Sequence, residues 1–381
     1  MPSVRSSDRR PRAVLFTLLL AIGAAQAAPH RARNPLAAGD TVDDLPLAVW
    51  TRLHEQTGSD AVRFRRQAHG GAAFDTRRGR IVLFGSDTHG EDWTNGPLFF
   101  DPEKKRWDRL YPDDPPSTYR ANALGQAVAG GPGEAHPWAM HTFGAVAYDP
   151  ERDRLVVASM PRHLEPGRFT NALAGVWPTV RQHPTWILDF ATARWQAPAV
   201  DAVDFFPFAA VFDTDRGVLV GWRADGVYEL SFDPPRWRRR VAPGETRYHN
   251  NLAYDSRHKV VLLFGASGGS DEVLVYDPAA AAIRHQPTPG IRPPKDEHVP
   301  LAFHPRLGKM VALVDRARAG GEMAETWLYD YYQDAWAPVA TATLPFALGM
   351  NYDLVYDPRH DALYLVTEQP AGRTSVWALR L

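Results

Sequence analysis

Short apolar runs recur in pairs along this chain, each pair joined by a polar turn. Six copies are evident: AAFDTRRGRIVLF (72–84), AVAYDPERDRLVVA (145–158), AAVFDTDRGVLVGW (209–222), LAYDSRHKVVLLF (252–264), LAFHPRLGKMVALV (301–314) and LVYDPRHDALYLV (354–366). The runs are four to seven residues long, rich in β-branched and aromatic side chains, and reverse at an Asp or His. That pattern predicts β-hairpins, and a pattern repeated six times sets the architecture before any single residue is read.

Each hairpin is followed by a third apolar segment: 96–101, 184–190, 226–233, 271–277, 324–330 and 374–381. A fourth usually carries a tryptophan, at Trp107, Trp195, Trp237 and Trp336, with Ile283 in the fourth copy. The sixth copy ends at Leu381 before a fourth strand can form. The segment LPLAVWTRL (45–53) precedes the first repeat without a hairpin of its own, and its Trp50 matches the missing position. The pattern therefore predicts an all-β, six-bladed β-propeller of four-stranded blades, closed by the N-terminal strand completing the last blade. Closure removes two sheet edges that would otherwise be free to pair with other chains.

The turn after an aromatic–Asp pair, Phe84-Gly85 and Phe264-Gly265 after second strands, Tyr276-Asp277 and Tyr329-Asp330 after third strands, and the fourth-strand tryptophan together resemble the kelch and galactose-oxidase-type propellers over residues 45–381. No copy carries, directly after its second strand, the Gly-Gly doublet usual in kelch repeats. The resemblance implies the propeller fold. It does not carry the copper-radical activity of galactose oxidase, which needs a Tyr–Cys crosslink, because this chain has no cysteine.

Composition adds the compartment. Arg5, Arg9, Arg10 and Arg12 precede the apolar run 13–25, and Ala25-Gln26-Ala27 fits a small-x-small cleavage site. This predicts a signal peptide over 1–27, a linker over 28–44 and a single propeller over 45–381, exported to the periplasm or beyond. The apolar run is too short to span a bilayer comfortably, so no membrane span is expected after cleavage. The formal net charge is −1 among 381 residues, with no basic excess to attract nucleic acid. Nothing signals an oligomer, and a monomer is expected. With no cysteine, disulfides, thiolate metal ligands and Cys nucleophiles are excluded, so packing and strand pairing must close the fold.

The loops leading into first strands share one face with the loops between second and third strands. Two long insertions, 111–138 and 159–183, fall on that top face, where a rigid scaffold usually carries its binding site. Six residues before each turn residue stand His69, Phe143, Pro207, His249, His298 and Asn351. These positions are expected to ring the mouth of the channel, with His141 two residues ahead of Phe143. Arg247, Tyr248, His249 and Asn250 form the densest polar run into any first strand, and Tyr352 joins from the last blade. The insertions add Tyr119, Arg120, His136, His163, Arg168 and His183.

No G-x-S-x-G is present and acidic pairs are scarce at the mouth, which disfavours acyl-enzyme hydrolysis and two-carboxylate glycosidase chemistry. His, Tyr and Arg suit β-elimination from a uronic-acid polymer. On that reading His141, Tyr248 and His249 move protons. Arg120 and Arg247 neutralise the carboxylate, and His69, Asn250, His298 and Tyr352 bind the glycan. Two other readings stay open: a non-catalytic glycan- or protein-binding face, and a zinc site built from three of His69, His141, His249 and His298. The bland reading of the tryptophan series is blade packing, and of any single mouth histidine a hydrogen bond to the neighbouring blade.

Overall fold

Each repeat builds one four-stranded antiparallel sheet, and six such sheets surround a central channel. The computed structural model describes residues 39–381 apart from 63, 65–68, 91, 201–202, 269–271, 317–322, 351 and 370–371. The expected signal peptide, most of the expected linker and Asn351 lie outside the described residues. No helix among the described residues is long and apolar enough to cross a membrane.

Blade 1 consists of strands Gly71–Asp75, Arg80–Phe84, Leu98–Asp101 and Arg106–Arg109. Blades 2 to 5 begin with Val146–Asp149, Ala209–Asp213, Asn251–Asp255 and Leu301–His304. Blade 6 has Tyr352–Asp357, Ala362–Thr367 and Ser375–Arg380, and its fourth strand is Thr51–Glu55 from the other end of the chain. Thr51 pairs with Ala378 and Arg52 with Trp377. The first strands lie side by side around the axis, and that of blade 6 returns to that of blade 1, which closes the ring. Packing reaches back beyond position 45, because Val42 in the short 3₁₀ turn Val42–Asp44 is buried with Leu45 against blades 1 and 6.

The repeated turn follows from one side chain. Asp75, Asp149, Asp213, Asp255 and Asp357 are buried. Each carboxylate accepts backbone N–H groups two or three residues on, as Asp149 does from Glu151 at 3.0 Å and Arg152 at 3.1 Å. His304 substitutes, its Nδ1 accepting from Leu307 at 3.4 Å. Four residues after each turn residue the backbone is left-handed: Gly79, Asp153, Gly217, Lys259, Gly308 and Asp361 all have positive φ. This is a side-chain-capped turn followed by one left-handed residue, a standard way to reverse twisted strands. Some turns also tie blades together. Arg78 of blade 1 grips Asp153 of blade 2, with Nη2–Oδ2 at 2.6 Å, and that guanidinium holds the Asp153 carboxyl below its usual range.

Where present, the fourth-strand tryptophan packs its blade onto the one before it. Trp195 meets Phe84 at 5.2 Å between ring centres, and Trp336 meets Phe264 at 4.7 Å. Trp237 Nε1 donates to Thr185 at 3.0 Å. Trp50 is 1 % exposed and donates to Thr326 of blade 5 at 2.9 Å, so it does for the closing blade what the others do elsewhere. The six residues two places before the turn (Ala73, Ala147, Val211, Ala253, Ala302, Val355) line the channel, a cavity of about 400 Å³. Small apolar side chains there leave the tube open, while Asn251 and Asp353 add polar groups to its lining.

Replacing Trp50 by Ala removes the closing contact and leaves a cavity between blades 5 and 6. The expected loss is about 3–5 kcal/mol, read as a lowered midpoint in urea unfolding.

Candidate functional site

Glycine at the end of a second strand starts the site. Gly85 has φ +117°, and a Cβ there would lie 2.3 Å from Thr142 Oγ1 and 3.0 Å from Gly70 Cα. Only a bare backbone lets the loop after the second strand of blade 1 cross so close beneath the lead-in to blade 2. Thr142 fixes the crossing by donating to Phe84 O at 2.7 Å, and Ser86 N donates to Met140 O at 3.0 Å. The loop then turns through the 3₁₀ segment Thr88–Gly90, which carries His89, and passes over His141.

Four histidines meet there. His141 is wholly buried. Its ring stacks on His69 at 4.3 Å and on His163 at 3.8 Å between centres, and meets the edge of His89 at 4.5 Å. His163 comes from the 3₁₀ segment Arg162–Leu164 of the second insertion, which packs on the His89 turn. Phe206 closes one side, edge-on to His69, His141 and His163 at 5.7, 4.8 and 5.2 Å. Phe169, 51 % exposed, covers His89 at 4.1 Å. Asp87 Oδ1 stands 3.7 Å from His141 Nε2 and 3.4 Å from His89 Nδ1. Arg162 pairs at 2.7 Å with buried Asp204, and Arg168 donates to Arg162 O at 3.4 Å on the same roof.

The electrostatics keep His141 and His163 neutral. Burial and the neighbouring His69, His163 and His89 push the His141 pKa far down. Burial, with His89, Arg168 and His69 adding, lowers His163 to about 4, and Asp87 opposes that only in part. The single Nε2 lone pair of His141 accepts the Thr88 N–H at 3.2 Å, and its Nδ1 has no hydrogen-bond partner. Ligating atoms of His69, Asp87, His89 and His141 all lie within 4.8 Å of one another, so these four could hold a metal ion. The histidines and Arg168 together could also exchange protons with, and neutralise, an acidic ligand.

The residues singled out from the sequence divide into groups. His69 and His141 are in the cluster, joined by His163 and Arg168 of the insertion. His249 and His298 form a separate pair, with ring centres 4.6 Å apart, and His249 Nδ1 shares a hydrogen with Ser267 Oγ at 3.2 Å. His249 N donates to Pro207 O at 2.8 Å and Phe143 N donates to His69 O at 2.9 Å, so the aligned mouth positions do neighbour one another. Phe143 and His249 both hold left-handed backbone. Yet the expected pairing of His141 with Tyr248 and His249 does not form. Tyr248 is 58 % exposed and packs on Phe208 at 5.3 Å, away from His141. Arg247 is exposed and lies against Gly268.

Arg120 is not placed to neutralise a ligand carboxylate. Its guanidinium donates to the carbonyls of Thr118, Gly130, Gly131 and Glu134, at 3.0, 2.6, 3.2 and 2.8 Å, which staples the first insertion. Asn250 is buried and donates to Trp222 O at 3.1 Å, a packing role between blades 3 and 4. Tyr352 is buried, and its hydroxyl accepts from Asn251 at 2.7 Å. His136 stacks on Tyr111 at 4.0 Å and pairs with Asp114 at 2.8 Å, and Tyr119 accepts from Ala139 N at 3.0 Å. Asp87 and His89 escaped the sequence reading because they sit outside the aligned first strands. Their signal was a Ser-Asp-Thr-His run in the one short loop of blade 1 that shares the top face.

No family model matches the chain, and no curated protein matches it.

A pH dependence follows from the insertion. His183 packs against Trp138 and Trp177, and burial with Arg162 nearby lowers its pKa to about 4. An unfolded His titrates near ~6.5, so the folded state disfavours the proton. The resulting stability is complete above that value and is lost as pH falls toward 4, by up to roughly 3 kcal/mol. Thermal melts between those pH values are expected to drop on acidification, and His183→Phe is expected to make the slope shallower.

Proposed function

We propose that the protein is an exported, kelch-like propeller of the galactose-oxidase type that cleaves an acidic polysaccharide by β-elimination at the histidine cluster of blades 1 and 2. The observation that carries this reading is the convergence of His69, His89, His141 and His163 beneath a roof bearing Arg168. Fold alone would not suggest it, since propellers host many functions.

The chemistry needs few parts. In a uronate chain the hydrogen on the carbon next to the carboxylate is removed as a proton. Its electron pair forms a carbon–carbon double bond, and the glycosidic C–O bond on the next carbon breaks. Arg168, 48 % exposed at its side chain and 3.7 Å from Glu165, neutralises the carboxylate and so acidifies that hydrogen. His163, half-buried at the surface of the cluster, takes the proton as a neutral imidazole. The departing oxygen takes a proton from solvent. Phe169 gives a sugar ring an apolar face to stack on beside them.

That exposed Phe169, held against His89, also favours a second reading, in which the same face binds a glycan without cleaving it. The two are told apart by incubating the protein with alginate-, glucuronan- and ulvan-type polymers. Cleavage raises absorbance near about 235 nm through the new double bond. His163→Ala is expected to slow it about 10²-fold or more, and Arg168→Ala to raise KM. Retarded migration in polymer-containing gels without any absorbance rise would select the binding reading. Neither effect with any acidic polymer would discard both.

A further inference from the structure

We propose that His69, Asp87, His89 and His141 form a binding site for one divalent transition-metal ion of the Zn²⁺ class. The four donors come from three separate stretches of chain that the fold brings together. His69 leads into blade 1, Asp87 and His89 lie after its second strand, and His141 leads into blade 2. Their ligating atoms already fall within 4.8 Å of one another. A tetrahedral ion with ligand distances of ~2.0–2.1 Å sets its donors roughly 3.3 Å apart, so side-chain rotations of about 1 Å close the set. Three imidazoles and one carboxylate suit Zn²⁺ and its late first-row neighbours, and fit Ca²⁺ or Mg²⁺ poorly because those prefer oxygen.

Two further observations point the same way. His141 is wholly buried, its Nδ1 has no hydrogen-bond partner, and its Nε2 lies 3.7 Å from Asp87 Oδ1. The ring's one lone pair takes the Thr88 N–H at 3.2 Å, and an ion bound at Nε2 would replace that hydrogen bond. The His69 and His141 rings are stacked 4.3 Å apart, close enough for one ion to reach both. One dication serves all the rings at once, and Asp87 balances part of its charge. His163 and Phe206 would then cover the ion and exclude water, the kind of surrounding shell that tunes a metal site.

The other cluster of this type makes a useful contrast. Asp114, Glu134 and His136 also lie close together. There Asp114 Oδ2 already takes His136 Nδ1 and Asn95 Nδ2, both at 2.8 Å, and Glu134 takes Gly131 N at 2.7 Å. Those hydrogen bonds use the groups to staple a loop, so it carries no metal proposal.

The inference rests on the geometry of the cluster and not on the lyase reading. The test uses the full chain with a tag that contains no histidine, stripped by chelator and titrated with Zn²⁺ in a calorimeter. A parallel titration with Co²⁺ reads coordination from the visible spectrum. One ion per chain with a tetrahedral Co²⁺ spectrum is expected. His89→Ala, exposed and therefore tolerant of change, and Asp87→Asn are each expected to weaken binding at least about tenfold. His249→Ala, in the separate pair, should bind as the parent does. The proposal is overturned if the stripped protein takes up no ion. It is equally overturned if uptake survives His89→Ala, or is lost in His249→Ala. Metal uptake without polymer cleavage would overturn the lyase reading alone. Cleavage by a protein that binds no ion would overturn the metal site alone.

Discussion

Everything in this molecule depends on the two ends of the described chain pairing with each other. A propeller blade is stable only between neighbours, because each sheet buries one face against the next. Six blades in a row would leave the first and last faces bare. The strand Thr51–Glu55 pairs with Ser375–Arg380 and turns that row into a ring. Without cysteine there is no covalent clasp. Val42 and Leu45 extend the non-covalent one by packing into the blade 6–blade 1 core, and Lys105 holds Asp40 O at 2.9 Å. Ring closure also fixes the channel mouth, since each lead-in to a first strand is positioned by the blade before it. The contact of His69 O with Thr142 N and Phe143 N is one such step.

Regularity and chemistry occupy different residues for a physical reason. The buried Asp turns, the left-handed residue four places on and the fourth-strand tryptophan each solve a problem that every blade has, so they recur. A site must be made once, and so it arises where one copy departs from the rest. Blade 2 departs most. Its insertion 159–183 brings His163, Phe169 and Arg168 over the lead-in, and blade 1 supplies the short loop that passes over His141. The channel itself is lined by Ala and Val at the repeated position in every blade.

This division decides how much was legible in the sequence. The hairpins, the six blades, the circular closure and the packing role of Trp50 were readable because each rests on a local pattern repeated many times. Alignment of the repeats also found His69, and led to His141 two residues ahead of Phe143. It misjudged partners. Arg247-Tyr248-His249-Asn250 is dense in polar residues along the chain. Yet the turn ahead of the strand, with left-handed backbone at His249, sends those side chains to different places: Asn250 inward to Trp222, Tyr248 outward onto Phe208. Arg120 looked like a free cation because a sequence does not show that four carbonyls of its own loop curl around it. Asp87 and His89 were hidden because which loops touch across a blade boundary depends on Gly85, whose meaning is a close approach and not a chemical group.

The cluster also shows why neutral histidine, and not histidine as such, is what the fold has arranged. In an exposed loop four imidazoles would titrate near the ordinary value and repel one another when charged. Burial of His141 and the enclosure by Phe206 remove that option for His141 and His163, which stand beside a carboxylate. Such an arrangement costs stability on acidification, since the unfolded chain takes up protons that the folded one refuses. The fold sustains that cost because the surrounding blades are closed independently, through strand pairing and tryptophan contacts that contain no titrating group. A ring locked elsewhere can hold a strained, polar, water-poor site at its rim. A blade standing alone could not.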